Sequence, residues 1–142
     1  MNWLTYGVLA LFFYGLFDFS LKLAAGKINE GVSGFIINIV AALVVLIYVI
    51  YSKMNGENIF VYKTSGIWFS VLGGVAVGLV TIFYIKMFAT GTNLSIGAPL
   101  VRVGTVLFAS ILGILLLKEG INVKYTAGFL LSLLGLFLIV TK

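Results

Sequence analysis

The stretch GFIINIVAALVVLIYVIYS, residues 34–52, decides the fold. It runs for 19 residues without a charged side chain, and Asn38 is its one carboxamide. About 20 apolar residues in a helix are enough to cross the hydrocarbon core of a bilayer. Because backbone groups in hydrocarbon must hydrogen-bond within the chain, the stretch predicts a membrane-spanning helix.

Four further apolar segments flank this one. They are residues 3–25, 66–89, 94–117 and 125–141. The chain is 62% hydrophobic, has a mean hydropathy of +1.22 and is 9% charged, whereas soluble domains carry roughly 25% charged residues. We therefore predict an all-α integral membrane protein, a single domain of five transmembrane helices over residues 1–142. We expect it to be a multi-pass protein of the cell (inner or plasma) membrane, in which short links pack each helix antiparallel to its predecessor.

The composition argues against several kinds of chemistry. The chain has no Cys and no His, and its four carboxylates do not pair at close spacing. This removes thiolate and imidazole ligands, cysteine nucleophiles and paired-carboxylate hydrolysis. The net charge of +5 is spread over the loop ends and does not form a nucleic-acid surface. We expect no metal site, no cofactor, no nucleic-acid partner and no enzymatic activity.

The lysines are divided almost evenly between the two sides of the membrane. The side of the N-terminus has Lys53, Lys63, Lys118 and Lys124, and the opposite side has Lys22, Lys27, Lys86 and Lys142. Without Lys22 and Lys86, which lie at helix ends, the division is four to two. Because orientation follows an excess of positive charge in cytoplasmic loops, two interpretations stay open. Either the N-terminal side is weakly cytoplasmic, or the protein inserts in both orientations.

Charged residues also lie inside the predicted spans. At 1.5 Å per residue, Asp18 lies ~6 Å and Arg102 ~5 Å from the centres of their spans, both displaced towards the side opposite the N-terminus. Lys22 shares a helix face with Asp18, and Tyr14 lies on that face one turn deeper. A charge near the bilayer centre costs at least ~2.5 kcal/mol unless it is paired or faces a wet cavity.

Two interpretations account for these charges. In the first, Asp18 and Arg102 form an internal ion pair that joins two helices, while Lys22 and Lys86 extend to the headgroups. In the second, Tyr14, Asp18 and Arg102 line a polar substrate or coupling cavity that favours an anionic or zwitterionic solute. Further side chains that could line this cavity are Lys22, Asn38, Thr81, Tyr84 and Thr105. Such residues more often bond their own backbone or a neighbouring helix than a ligand.

Small residues recur at helical spacing in two spans. Gly128, Ser132 and Gly135 form one stripe, and Gly74 and Gly78 form another. Such spacing lets a second helix approach closely, so we predict helix packing there, either within the chain or across a dimer. Pro99 lies near the start of the fourth span, either in the first turn or deeper, where it would kink the helix.

The second half of the chain, APLVRVGTVLFASILGILLLKEGINVKYTAGFLLSLLGLFLIV, closely resembles the end of an EamA repeat of the drug/metabolite transporter superfamily. The shared features are an early proline in the fourth span, an apolar run ending in Leu117-Lys118-Glu119, and Gly128 and Gly135 in the fifth span. The opening FFYGLFDFSLKLA is similar to the first span of that module. The resemblance extends over essentially the whole chain.

The resemblance implies a membrane carrier for metabolites or exported small molecules. Most members hold two inverted repeats in one chain, whereas this chain has one, so the resemblance implies that two copies assemble in antiparallel fashion. The related small multidrug resistance proteins have a coupling glutamate that aligns with Tyr14 here. The carboxylate is absent from that position, and Asp18 lies one turn away.

Two functions follow as hypotheses. The first is a secondary transporter of a small polar metabolite or exported solute, which works as a homodimer in the lipid bilayer. The second is a non-transporting subunit, or half of a hetero-oligomeric transporter or flippase, in which an Asp18–Arg102 pair is structural.

Overall fold

The computed structural model describes residues 2–59 and 63–141, so Lys142 of the lysine division lies outside the described residues. Its helices are α1 (Trp3–Ala24), α2 (Glu30–Met54), α3 (Thr64–Ala89), α4 (Leu94–Leu116) and α5 (Val123–Val140). No strand occurs in the described ranges. All five helices are long and apolar enough to cross a membrane, which confirms the predicted pattern of a multi-pass membrane protein.

Asparagine side chains begin three of the helices. The Asn2 side chain accepts from the Leu4 N–H at 2.8 Å, and the Asn29 side chain accepts from the N–H groups of Gly31 and Val32. Asn122 does the same for α5, at 2.8 Å from the Tyr125 nitrogen. Each bond satisfies N–H groups that have no partner within the first turn of a helix.

Residues with positive φ follow the ends of four helices. Gly26, Gly56 and Gly91 have φ values of 75°, 80° and 95° after α1, α2 and α3. Glycine adopts this left-handed conformation without a Cβ penalty and commonly ends helices. After α4 the same role falls to Lys118, with a φ of 55°.

The chain divides into two compact units, which meet between Thr90 and Gly91. In the first unit α3 packs against both α1 and α2. The prediction that each helix packs beside its predecessor is correct for α2 and α3, but it is wrong for α1, whose main neighbour is α3. The single-domain organisation over residues 1–142 stays a prediction.

Helices α2 and α3 approach at one end and separate along the rest of their length. A Cβ at Gly34 would lie 3.6 Å from Ile82 Cγ1 and 3.7 Å from Thr81 Cγ2, so the start of α2 touches the end of α3. Beyond this contact the helices enclose an open groove of about 700 Å³. Its lining consists of Asn38, Ala41, Ala42, Val45, Leu46, Val49, Ser70, Gly74 and Val77. We call this feature the α2–α3 groove.

The second unit is the pair α4 and α5, which pack on each other. Pro99 is the sixth residue of α4, beyond its first turn, so it removes the N–H that would bond the Ser95 carbonyl. At the other end of α4 the N–H groups of Leu117 and Glu119 both donate to the Gly113 carbonyl, at 3.1 and 3.2 Å.

Candidate functional site

The most buried part of the first unit surrounds a carboxylate. Asp18 lies in the carboxyl-terminal half of α1 and is 5% exposed. Leu21, on the same helix, is fully buried. The other members of this buried cluster come from α3 and are Thr81, Tyr84, Ile85 and Phe88. The contact between α1 and α3 therefore places a charged group among the best-packed side chains of the unit.

Two aromatic rings stack at this contact. The Tyr84 and Phe88 ring centroids are 5.0 Å apart with an interplanar angle of 26°. Both residues are almost fully buried and lie one helical turn apart on α3. The pair forms a flat apolar wall on the side of α3 that faces α1.

Lys22 places its ammonium on this wall. The Lys22 Nζ lies 5.6 Å from the centroid of the Phe88 ring, within the range of a cation–π interaction. Lys22 is half-buried, whereas Lys86, in the last turn of α3, is exposed. Lys22 therefore crosses to a neighbouring helix, and Lys86 points outward as expected of a lysine that extends to the headgroups.

These residues bring both charges and polarisable groups to one place. Asp18 and Lys22 are four residues apart on one face of α1, and Lys22 contacts the face of the Phe88 ring. A carboxylate, an ammonium and stacked aromatic rings can bind a polar solute that carries its own charge, or hold a proton on the carboxyl group. We call Asp18, Lys22, Tyr84 and Phe88 the α1–α3 site.

Tyr14 lies at the edge of this region. Its side chain is 53% exposed, and its ring stands edge-on to Phe17 with centroids 6.5 Å apart. It is therefore more exposed than Asp18, one turn further along α1. Its predicted role in lining a substrate cavity stays a prediction.

Arg102 belongs to the second unit. It is half-buried on α4, three residues after the helix-interior Pro99. The missing backbone bond at Pro99 loosens α4 one turn before the guanidinium. The predicted Asp18–Arg102 pair stays a prediction.

The uncharged polar residues inside the helices bond to their own backbones. The Asn38 Nδ2 donates to the Gly34 carbonyl at 2.8 Å, and the Thr81 Oγ1 donates to Val77 at 2.8 Å. Thr105 and Ser132 donate in the same way to the carbonyl four residues earlier. Backbone bonding was one of the alternatives for these residues. It accounts for the hydroxyl protons of Thr81, Thr105 and Ser132 and for one N–H of Asn38.

The small-residue stripes face open space. A Cβ at Gly74, Gly78, Gly128 or Gly135 would meet no atom within 4 Å. Gly74 and Gly78, together with Asn38, line a further part of the α2–α3 groove of about 390 Å³. Within the described residues, these four glycines are therefore not used for close helix packing.

Phe88 is the site residue that the sequence analysis did not identify. A signal was present, because Phe88 follows Tyr84 by four residues and so shares its helix face. Its spacing alone did not distinguish it among the 12 phenylalanines of the chain. Only the packing of α3 against α1 shows that Lys22 reaches it.

Comparisons with protein-family models, with curated proteins and with solved structures found no match to this chain. The resemblance to the EamA repeat thus rests on the residues quoted above and stays a prediction.

Proposed function

We propose that the protein is a secondary transporter of a small polar metabolite or exported solute, and that it works as a homodimer in the cell membrane. The observation that carries this proposal is the burial of Asp18 within an apolar helix, at a site that also contains an ammonium and stacked aromatic rings. Ionisable residues within membrane spans commonly mark solute or proton pathways. The single EamA-like repeat and the even division of lysines support the pairing of two copies in opposite orientations.

The α1–α3 site suggests how solute and proton movement are coupled. A solute with a positive group competes with Lys22 for the Phe88 ring face, and one with a negative group competes with Asp18 for positive partners. In either case binding changes the charge balance around the Asp18 carboxyl, which then gains or loses a proton. Asp18 is the coupling group in this mechanism, and Lys22 and the aromatic pair form the binding surface.

The test is solute-driven proton movement in proteoliposomes. Wild-type protein is reconstituted with an internal pH dye and exposed to a panel of amino acids and organic anions. We expect Asp18→Asn to abolish the solute-driven pH change, because an amide cannot exchange a proton.

Glu57→Gln is the matched control, since it removes a carboxylate from the exposed loop between α2 and α3. It should leave the signal unchanged. Wild-type rates in Asp18→Asn at every pH would refute the coupling role of Asp18.

The second candidate is a non-transporting membrane subunit with a structural Asp18–Arg102 pair. The observation in its favour is that Asp18 lies among tightly packed side chains, with Leu21 and Ile85 fully buried. In that case the charge-swapped variant Asp18→Arg with Arg102→Asp should recover the thermal stability that either single change loses. A transporter would lose solute flux in the same variant.

A further inference from the structure

We infer that the α2–α3 groove is the interface with a second, antiparallel copy of this chain, in which Asn38 of each copy donates to Ser70 of the other. This inference rests on the homodimer of the proposed function and adds to it a surface, a residue pair and an orientation. It follows from the position of the two polar residues in the groove and from their hydrogen bonds.

The groove is an open space in the apolar part of the first unit. It encloses about 700 Å³ between helices that touch near Gly34 and Thr81 and then separate. Its lining side chains are small or aliphatic, apart from Asn38 and Ser70. Either lipid chains or another helix must fill such a space in a bilayer.

The two polar residues lie at equal distances on either side of the middle of α2. Ala42 is the midpoint of α2, and Asn38 precedes it by four residues, which is ~6 Å along the axis. The contact of Gly34 with Thr81 and Ile82 fixes the register of the two antiparallel helices. In that register Ser70 lies level with the residues just after Val45, ~5 Å beyond Ala42 on the other side.

An antiparallel partner therefore brings unlike residues to the same depth. Rotation by 180° about an axis in the membrane plane exchanges the two ends of the groove, so Asn38 of one copy becomes level with Ser70 of the other to within ~1 Å. A parallel partner would bring like residues together, Asn38 with Asn38 and Ser70 with Ser70.

The hydrogen bonds favour the antiparallel arrangement. The Ser70 hydroxyl donates its proton to the Gly66 carbonyl at 2.9 Å, so towards a partner it can only accept. Asn38 uses one amide N–H on the Gly34 carbonyl at 2.8 Å, and an amide has a second N–H to donate. Asn38 and Ser70 are thus a matched donor and acceptor, whereas two Ser70 hydroxyls would face each other as two acceptors.

A lipid chain satisfies neither group. Hydrocarbon offers no hydrogen-bond partner, and side-chain hydrogen bonds between membrane helices contribute about 0.6–2 kcal/mol each. The two-fold symmetry of the dimer forms the Asn38–Ser70 bond twice.

Disulfide trapping tests this inference directly, because the chain has no cysteine. Differently tagged Asn38→Cys and Ser70→Cys chains are co-expressed and oxidised in native membranes. We expect about tenfold more disulfide between the two kinds of chain than between chains of one kind, since a disulfide requires Cα atoms within ~7 Å.

Val40→Cys with Leu72→Cys is the matched control. These exposed residues lie two positions further along α2 and α3, on the faces turned away from the groove, and should give only background cross-linking. Ala42→Cys is a further variant that leaves both polar groups intact and should cross-link to itself.

Each other outcome overturns the inference. A dominant Asn38→Cys homodimer would indicate a parallel dimer, and equal cross-linking of the control pair would indicate random collision. The absence of every disulfide, including that of Ala42→Cys, would mean that lipid fills the groove. Solute flux in the same membranes separates the two proposals, because flux without the cross-link refutes the interface alone, and the cross-link without flux refutes transport alone.

Discussion

Phe88 shows how one aromatic residue changes the environment of a charge on another helix. The ammonium of Lys22 would otherwise extend to the membrane surface, but it lies 5.6 Å from the Phe88 ring centroid, and Phe88 in turn stacks on Tyr84. A ring face attracts a cation more strongly where water is scarce. The position of Lys22 thus depends on a residue 66 positions later in the chain.

The Lys22–Phe88 contact should be measurable as a coupling energy. We expect Lys22→Met and Phe88→Leu to be non-additive by about 0.5–1 kcal/mol in a double-mutant cycle, the range for a partly exposed cation–π pair. The measurement is unfolding in mixed micelles with increasing SDS. Lys86→Met provides the control, because exposed Lys86 should show no coupling to Phe88→Leu; additivity in both cycles would contradict the contact.

Gly113 is the second residue with a specific steric constraint. A Cβ there would lie 2.6 Å from the Glu119 Oε2, so the carboxylate lies directly over this glycine. We predict that Gly113→Ala lowers the melting temperature in detergent, because the new methyl group displaces the Glu119 side chain. In a Glu119→Ala background the same change should be neutral or stabilising, since alanine is favoured over glycine in a helix by up to about 1 kcal/mol.

Gly104→Ala controls for the intrinsic effect of replacing a glycine in α4. A Cβ at Gly104 would meet no atom within 4 Å, so this change should not be rescued or altered by Glu119→Ala. Equal behaviour of the two glycine variants would show that the Glu119 contact has no effect on stability.

Among the elements, the helices were predictable and their partners were not. Hydropathy predicts α1, α3 and α4 to within two residues of their ends, because glycine and loop residues interrupt the apolar runs there. Hydropathy alone begins the second span at residue 34, whereas α2 begins at Glu30, because Asn29 caps a polar first turn that hydropathy does not detect. The packing of α1 on α3 was missed, because short loops limit which helices meet without choosing between them.

The candidate site was predictable to a similar extent. Asp18 and Lys22 stand out because charges are rare in apolar spans, and Tyr84 was among the predicted lining residues. Phe88 and the α2–α3 groove depend on which helix faces meet, and the periodicity of strongly apolar helices does not specify that.

The end of α4 supplies a prediction at the scale of the element. Lys118 has a φ of 55°, a conformation that costs an L-residue roughly 1–2 kcal/mol. We expect Lys118→Gly to stabilise the protein by about 0.5–1 kcal/mol, after allowance for the greater entropy of glycine in the unfolded chain. Thermal unfolding in detergent is the measurement.

Lys124→Gly is the opposite case, because Lys124 is the second residue of α5. This change places a glycine in a helix and should destabilise the protein by up to about 1 kcal/mol. Stabilisation by both changes, or by neither, would contradict the argument from backbone conformation.

For the whole molecule, the central question is orientation. The lysines divide four to four between the two sides in the predicted topology. We predict that a C-terminal reporter on the full-length chain is found on both sides of the membrane in comparable amounts. Labelling of accessible sites from each side is the measurement, and a C-terminus confined to one side would rule out antiparallel pairing of identical chains.

A matched pair of charge changes sharpens this test. Lys27→Gln removes a charge from the side opposite the N-terminus, and Lys53→Gln removes one from the N-terminal side. The two variants should shift the orientation in opposite directions, since positively charged loops favour the cytoplasm.

The contact between Lys22 and Phe88 also has a consequence for biosynthesis. During translation α1 leaves the ribosome well before α3, and at ~5–20 residues per second Phe88 follows Lys22 by roughly 3–13 s. Throughout that interval α1, the least apolar of the five helices, exposes Asp18 and Lys22 without the ring pair that later adjoins them. The first helix of this chain should therefore linger at the insertion machinery until the third arrives, and integrate into the bilayer together with it.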